Sequence, residues 1–133
     1  MEKQSPLMPS ISVNIKYSQI LIHKNSLRLL GNPEYIQILV NPEEKSIILC
    51  CSVEEDHLAH AVNPKIFDSR EKGLCIRSHP LMKNLYRLNP VWNVSSTYKI
   101  KGRFFPNLNI IKFKIKDSCI SSKFNKSEAM ENE

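Results

Sequence analysis

Thr97-Tyr-Lys-Ile-Lys-Gly-Arg-Phe104 and Ile111-Lys-Phe-Lys-Ile-Lys116 both alternate polar or cationic residues with apolar ones. Period-two alternation marks a half-buried β-strand, because successive side chains leave opposite faces. Between the runs lies Pro106-Asn-Leu-Asn109, a turn composition. Closing a hairpin there sets Phe105 opposite Ile110. It predicts Arg103 opposite Lys112, Lys101 opposite Lys114 and Lys99 opposite Lys116. Tyr98, Ile100, Phe104, Phe113 and Ile115 then point the other way, into a core.

Charge is concentrated in the same region. Residues 72–116 hold ten lysines and arginines and no aspartate or glutamate. Residues 1–71 hold seven cations against nine acids, and residues 117–133 hold two against four. The net charge of +6 is thus the work of one segment, which bears on partners more than on fold. Like charges directly opposite on a sheet repel, so three such pairs in a row need a reason. A polyanion lying across the face is one. A solvated edge blunted by lysine is a second, and an acidic patch on a protein partner is a third.

Working outward, strands are predicted over 11–15, 19–23, 34–41, 46–52 and 73–77, with short helices at 24–30 and 78–88. Asn25 or Ser26 is the expected N-cap of the first helix, Gly31 lies just past its end, and Pro33 prevents continuation. Ser78 is the expected N-cap of the second, with Pro80 in its first turn and Leu81, Leu85 and Leu88 as its apolar stripe. Trp92 is expected over the core. Residues 53–72 read as a connection with a short ordered piece at 65–67. Residues 1–10 read as flexible and 118–133 as a disordered tail.

The two halves share their punctuation. Residues 20–52 and 74–116 both run strand, short helix, Asn-Pro, strand, Pro-led four-residue turn, strand. The expected fold is therefore α+β, mostly antiparallel β with two short helices and a duplicated βαββ unit, in one domain over 11–117. Two such units can pack about a pseudo-two-fold axis, as subunits of a dimer do. The first hairpin is apolar on both faces, with Ile38, Val40, Ile47 and Leu49 on one and Leu39 and Ile48 on the other. Such a hairpin is buried on both sides or lies at a subunit interface, so a homodimer is expected.

Ile20-Leu-Ile-His-Lys-Asn-Ser-Leu-Arg-Leu-Leu-Gly31, with the hairpin that follows to Leu49, resembles the AbrB/MazE-type swapped-hairpin DNA-binding domain. That family runs an apolar strand into a short helix that carries an arginine and ends Leu-Gly, followed by a hairpin. Lys24, Arg28 and Gly31 fall on the matching positions. The whole chain also looks like small proteins of Firmicute mobile elements. The resemblance implies a dimeric regulator or antitoxin and makes Lys24 and Arg28 further candidates for DNA contact.

Other chemistry is not signalled. Cys50, Cys51, Cys75 and Cys119 lack C-x-x-C spacing, so neither a zinc site nor a redox motif is indicated. Cys50 and Cys51 read as small buried hydrophobes in a reducing compartment. No apolar run approaches the ~20 residues of a membrane span, no hydrophobic signal core is visible, and a cytoplasmic protein is expected. His57-Leu-Ala-His60 beside Asp56 lacks a third metal ligand at suitable spacing. No cofactor, metal or catalytic group is expected, and the chain reads as a non-enzyme.

The functional expectation is a small DNA-binding protein, a regulator or accessory factor. Lys99, Lys101, Arg103, Lys112, Lys114 and Lys116 would contact phosphates, joined by Lys24 and Arg28. Lysine outnumbers arginine on the face and no amide side chain is there, which favours backbone contact over base readout. RNA is a second ligand, less favoured because the alternation places no stacking aromatic on the basic face. The alternative class is an inhibitor or antitoxin-like module whose cationic face fills an acidic groove on an enzyme.

Overall fold

A computed structural model describes residues 8–121. Residues 1–7 of the flexible start expected over 1–10, and residues 122–133 of the disordered tail expected over 118–133, lie outside the described residues. The first half runs β1 (Ser10–Asn14), β2 (Gln19–His23), α1 (Lys24–Leu29), β3 (Tyr35–Asn41) and β4 (Ser46–Cys51). The second runs β5 (His60–Ala61), a 3-10 turn (Pro64–Asp68), β6 (Gly73–Arg77), α2 (His79–Leu88), β7 (Thr97–Phe105) and β8 (Ile110–Lys114). A 3-10 turn (Ile115–Asp117) then leads into β9 (Cys119–Ile120). The fold is α+β and mostly antiparallel β, as the alternation predicts.

The strands form a nearly closed barrel in the order β5-β3-β4-β8-β7-β1-β2-β6, with β9 beside β7. Exchange β1 with β5, β2 with β6, β3 with β7 and β4 with β8. The order maps onto itself once β6 is set next to β5, where the barrel has its open seam. The element pattern that recurs is ββαββ, one strand longer than the sequence punctuation indicates. β5 leaves no mark in the sequence because two residues carry no periodicity. The turns agree: both four-residue loops end on a left-handed residue, Lys45 at φ 51° and Asn109 at φ 50°. Aligning Pro42 with Pro106 makes Ile48 equivalent to Lys112, and those two face each other across the β4–β8 pair. Equivalent residues meet in this way on a two-fold axis.

Alternate residues of each strand fill the barrel. Ile11, Val13, Ile20, Ile22, Ile36, Ile47, Leu49, Ile100, Ile111 and Phe113 are fully buried or nearly so. Leu27 of α1 and Met82 and Leu85 of α2 join the same core. Burying a side chain of this size contributes about 1.5–3 kcal/mol, which is what offsets the entropy of ordering the chain. Trp92 packs as expected. It is buried, stacks on Tyr98 at 5.0 Å, and donates from Nε1 to Ser118 Oγ at 3.0 Å.

Several expectations change in detail. The first helix starts directly from the strand, with His23 at its N-cap and no side-chain cap. Ser26 is no cap and instead ties the helix to β1. Its hydroxyl accepts from Ser10 N at 2.9 Å and donates to Ser10 O at 3.0 Å. That pair of hydrogen bonds pins Ser10 into β1, where a flexible end was expected. Ser78 caps α2 through Leu81 N, and Gly31 sits at φ 90° past α1, as expected. The tail expected to be disordered from 118 contributes β9, held by Tyr98–Ile120 and Lys99–Cys119 pairing. Cys51 is exposed and Cys50 only half-buried, because β4 runs out past the core at its end.

The first hairpin is covered on one face only. Ile36, Ile47 and Leu49 line the core, whereas Leu39 is 42% exposed and Ile48 half-buried on the outside. The second unit covers the inner face, and the face carrying Leu39 and Ile48 stays on the outside.

Candidate nucleic-acid interface

The register of the basic hairpin holds for four pairs and then changes. Phe105 faces Ile110, Phe104 faces Ile111, Arg103 faces Lys112 and Gly102 faces Phe113. Gly102 belongs at that last position. A Cβ there would stand 2.5 Å from Phe113 Cε1, so the missing side chain makes room for the ring. Beyond it, Lys101 lies opposite Ser10 of β1, and Lys99 lies between Ser12 of β1 and Cys119 of β9. β8 stops at Lys114, and the 3-10 turn keeps Ile115 buried while it carries Lys116 to the surface. The predicted Lys101–Lys114 and Lys99–Lys116 pairs are therefore not ladder pairs. Only Arg103 and Lys112 are directly opposed.

Glu44, from the turn of the first hairpin, relieves that opposition. Its Oε1 lies 2.8 Å from Lys112 Nζ, and this hydrogen bond and charge hold the Glu44 carboxyl below its ordinary value. The acid comes from the other unit, because β4 lies between β3 and β8. Outward-facing side chains form the row Leu39, Ile48, Lys112, Arg103 across four strands.

Phe105 shares the outer face with Arg103, two residues along the same strand. The Arg103 guanidinium lies 5.5 Å from its ring centroid and Lys112 Nζ 5.8 Å. The basic face thus does carry an aromatic, although the hairpin register alone marks Phe105 only as the partner of Ile110. With Lys101, Gly102, Lys114 and Asp117 these residues line an open cavity of about 410 Å³.

A second cleft, of about 430 Å³, lies where β7 passes β1 and the start of α1. Met8, Ser10, His23, Lys24, Asn25, Arg28, Lys72, Lys99 and Lys101 line it, and none is a carboxylate. It joins two sets of residues that lie far apart in sequence, the resemblance-derived Lys24 and Arg28 and the hairpin's Lys99 and Lys101. Lys72 comes with them because Lys24 N–H donates to Lys72 O at 3.1 Å. Lys24 Nζ donates to Ser69 O, and His23 Nε2 lies 2.9 Å from Ser12 Oγ. Burial, then the charges of Lys99 and Lys72, hold His23 below its ordinary value. No sequence signal marks His23 as a site residue, and Lys72 is marked only as the first cation of the 72–116 segment, since the β2–β6 pairing is what brings the two together.

Lys101 lines both cavities, so the hairpin face and the cleft meet at one residue. Lys116 lies with Lys112, Lys114 and Glu44 at the far end of the face. The equivalent positions of the first unit carry no cation. With Pro42 set on Pro106, Lys99, Lys101 and Arg103 fall on Tyr35, Gln37 and Leu39, and Lys112, Lys114 and Lys116 on Ile48, Cys50 and Ser52. That corner of the molecule is acidic instead, and Glu54 first, with Glu34 and Glu55, pushes the Tyr35 phenol up. The barrel can therefore be built without cations at these six places.

Elsewhere the chemistry is sparse. Asp56 accepts from Leu58 N and Ser52 Oγ, which organises its turn and holds its carboxyl below the ordinary value. Burial pushes the Cys50 and Cys51 thiols up. Among the described residues no helix is long and apolar enough to cross a membrane, and no three His, Cys, Asp or Glu side chains cluster. No protein-family model, curated protein or solved structure matches the chain.

Proposed function

We propose that the chain is a small DNA-binding protein, a regulator or accessory factor, that holds phosphate backbones on the second hairpin and the adjoining cleft. One observation carries the reading: six cations stand on an outer face whose counterpart in the other unit has none. A repeat built about a two-fold has no structural need for that asymmetry. Lys99, Lys101, Arg103, Lys112, Lys114 and Lys116 supply point charges along β7, β8 and the turn after them. Lys24 and Arg28 extend the strip past Lys101. The resemblance of residues 20–49 to AbrB/MazE-type domains supports the same reading. The dominance of lysine favours sequence-tolerant backbone contact.

A gel shift with random-sequence duplex at low salt tests this. Micromolar binding that the double change Lys101→Glu, Lys114→Glu weakens supports it. No binding by the unaltered protein, with nuclease-resistant co-purification of one acidic host protein, would point instead to the inhibitor class.

A further inference from the structure

The cleft at the start of α1 differs from the hairpin face in one respect. The hairpin face is an open strip, but the cleft draws cations from three distant segments to one concavity. Lys24 and Arg28 come from α1, Lys72 from the approach to β6, and Lys99 and Lys101 from β7, with the His23 ring at the end of β2 among them. Their positions are fixed by backbone. Lys99 and Lys101 face Ser12 and Ser10 of β1, Lys24 N–H bonds Lys72 O, and Gly73 faces His23 across the β2–β6 pair. A side chain at 73 would run into the Ile22 carbonyl, so the two strands are held at this approach.

Bringing like charges together raises the free energy of the folded chain unless an anion joins them. The groups facing His23 are Lys99 from β7, Lys72 from the segment before β6, and the neutral Ser12 hydroxyl from β1. Asn25 adds an amide and Ser10 lies in the wall. Of these residues, Lys24, Asn25 and Lys99 are half-buried, whereas Arg28, Lys72 and Lys101 are exposed and free to close over a ligand. Among the described residues no carboxylate lines the cleft.

We propose that this cleft is a discrete anion site that takes a phosphate-bearing ligand, a phosphoryl or diphosphoryl group held by Lys24, Arg28, Lys72, Lys99 and Lys101. Its volume is in the range of small-ligand sites. Charge-assisted hydrogen bonds from several ammonium groups and a guanidinium are the recognition chemistry that phosphate oxygens take. The phosphate can belong to a free small molecule or to a nucleic-acid strand. The proposal deepens the reading of the cleft given above, and it is tested apart from duplex binding by the hairpin face.

The probe is inorganic pyrophosphate, added to the full chain while the His23 ring resonances are followed by NMR. Saturable shifts are expected, with His23 titrating at higher pH as an anion offsets Lys99 and Lys72. The double change Arg28→Gln, Lys72→Gln removes two exposed side chains and should weaken binding roughly ten- to a hundredfold. Lys114→Gln with Lys116→Gln, on the hairpin alone, should leave it unchanged. Non-saturable shifts, or equal weakening by both double variants, would overturn the site and leave duplex binding by the hairpin untouched. A second arm separates the two sources. If pyrophosphate at saturation displaces duplex, the site takes the strand's own phosphate. If both bind together, it takes a separate small ligand.

Discussion

At the scale of single residues, two side chains report on the basic surface. Glu44 occupies Lys112 at 2.8 Å. A carboxylate bound to a cation competes with any phosphate for it. Glu44→Gln should therefore tighten polyanion binding and steepen the dependence of log K on log salt by up to about 0.9, one added phosphate contact. Titrations at several salt concentrations read this directly, and an unchanged slope would place Lys112 outside the interface. His23 is the second reporter. Because its folded pKa lies below the ordinary 6.5, the unfolded chain binds the proton more tightly. The His23 contribution to stability is thus present above pH 6.5 and is lost as pH falls from there through its lowered folded value. Urea unfolding above and below pH 6.5 should show a smaller acid loss in His23→Gln than in the unaltered chain.

At the scale of elements, the sequence made the strands legible wherever a face was half-buried. Alternation located β7 and β8, and the Pro-led turn set their register correctly as far as Gly102 and Phe113. It failed where β7 meets partners far away in sequence. Nothing local tells Lys101 that Ser10 will lie opposite it, or that a 3-10 turn will take Lys116 off the ladder. β5 and β9 were illegible for another reason, since two-residue strands exist only because a neighbour offers an edge. Six of the eight candidate residues came from the charge pattern of the hairpin and Lys24 and Arg28 from the resemblance, but the cleft that gathers four of the eight was not legible. The repeat itself yields a test. Lys45 and Asn109 occupy the same left-handed turn position, and asparagine tolerates that conformation better than lysine. Lys45→Asn should stabilise the chain by about 0.5–1 kcal/mol in urea unfolding. A loss of stability would mean that Lys45 contributes something its turn conformation does not reveal.

At the scale of the whole molecule, the chain does within itself what a two-fold dimer does between subunits. β2 pairs with β6 and β4 with β8, so each unit closes the barrel of the other. The core is then complete in one chain. Leu39, at 42% exposure, is the main apolar residue left on the first hairpin's outer face. The homodimer that the sequence suggested would seat on this face, so Leu39→Lys should release a 15.4 kDa monomer in sedimentation, and an unaltered chain already monomeric at high micromolar concentration would contradict it. The two sides of the barrel differ in charge, with Glu34, Glu54 and Glu55 around Tyr35 on one and Lys101, Arg103, Lys112 and Lys114 on the outer face of β7 and β8 on the other. That division is the basis for the claim that the basic side binds nucleic acid. The most direct test is the salt dependence of duplex affinity for the unaltered chain and for Lys101→Glu with Lys114→Glu. If half of the six hairpin cations reach phosphate, log K should fall against log salt with a slope of roughly −3, and the double variant should bind every sequence more weakly with a slope of roughly −1. The same affinity and the same slope in both proteins would contradict the account and leave the cationic face a solvated surface.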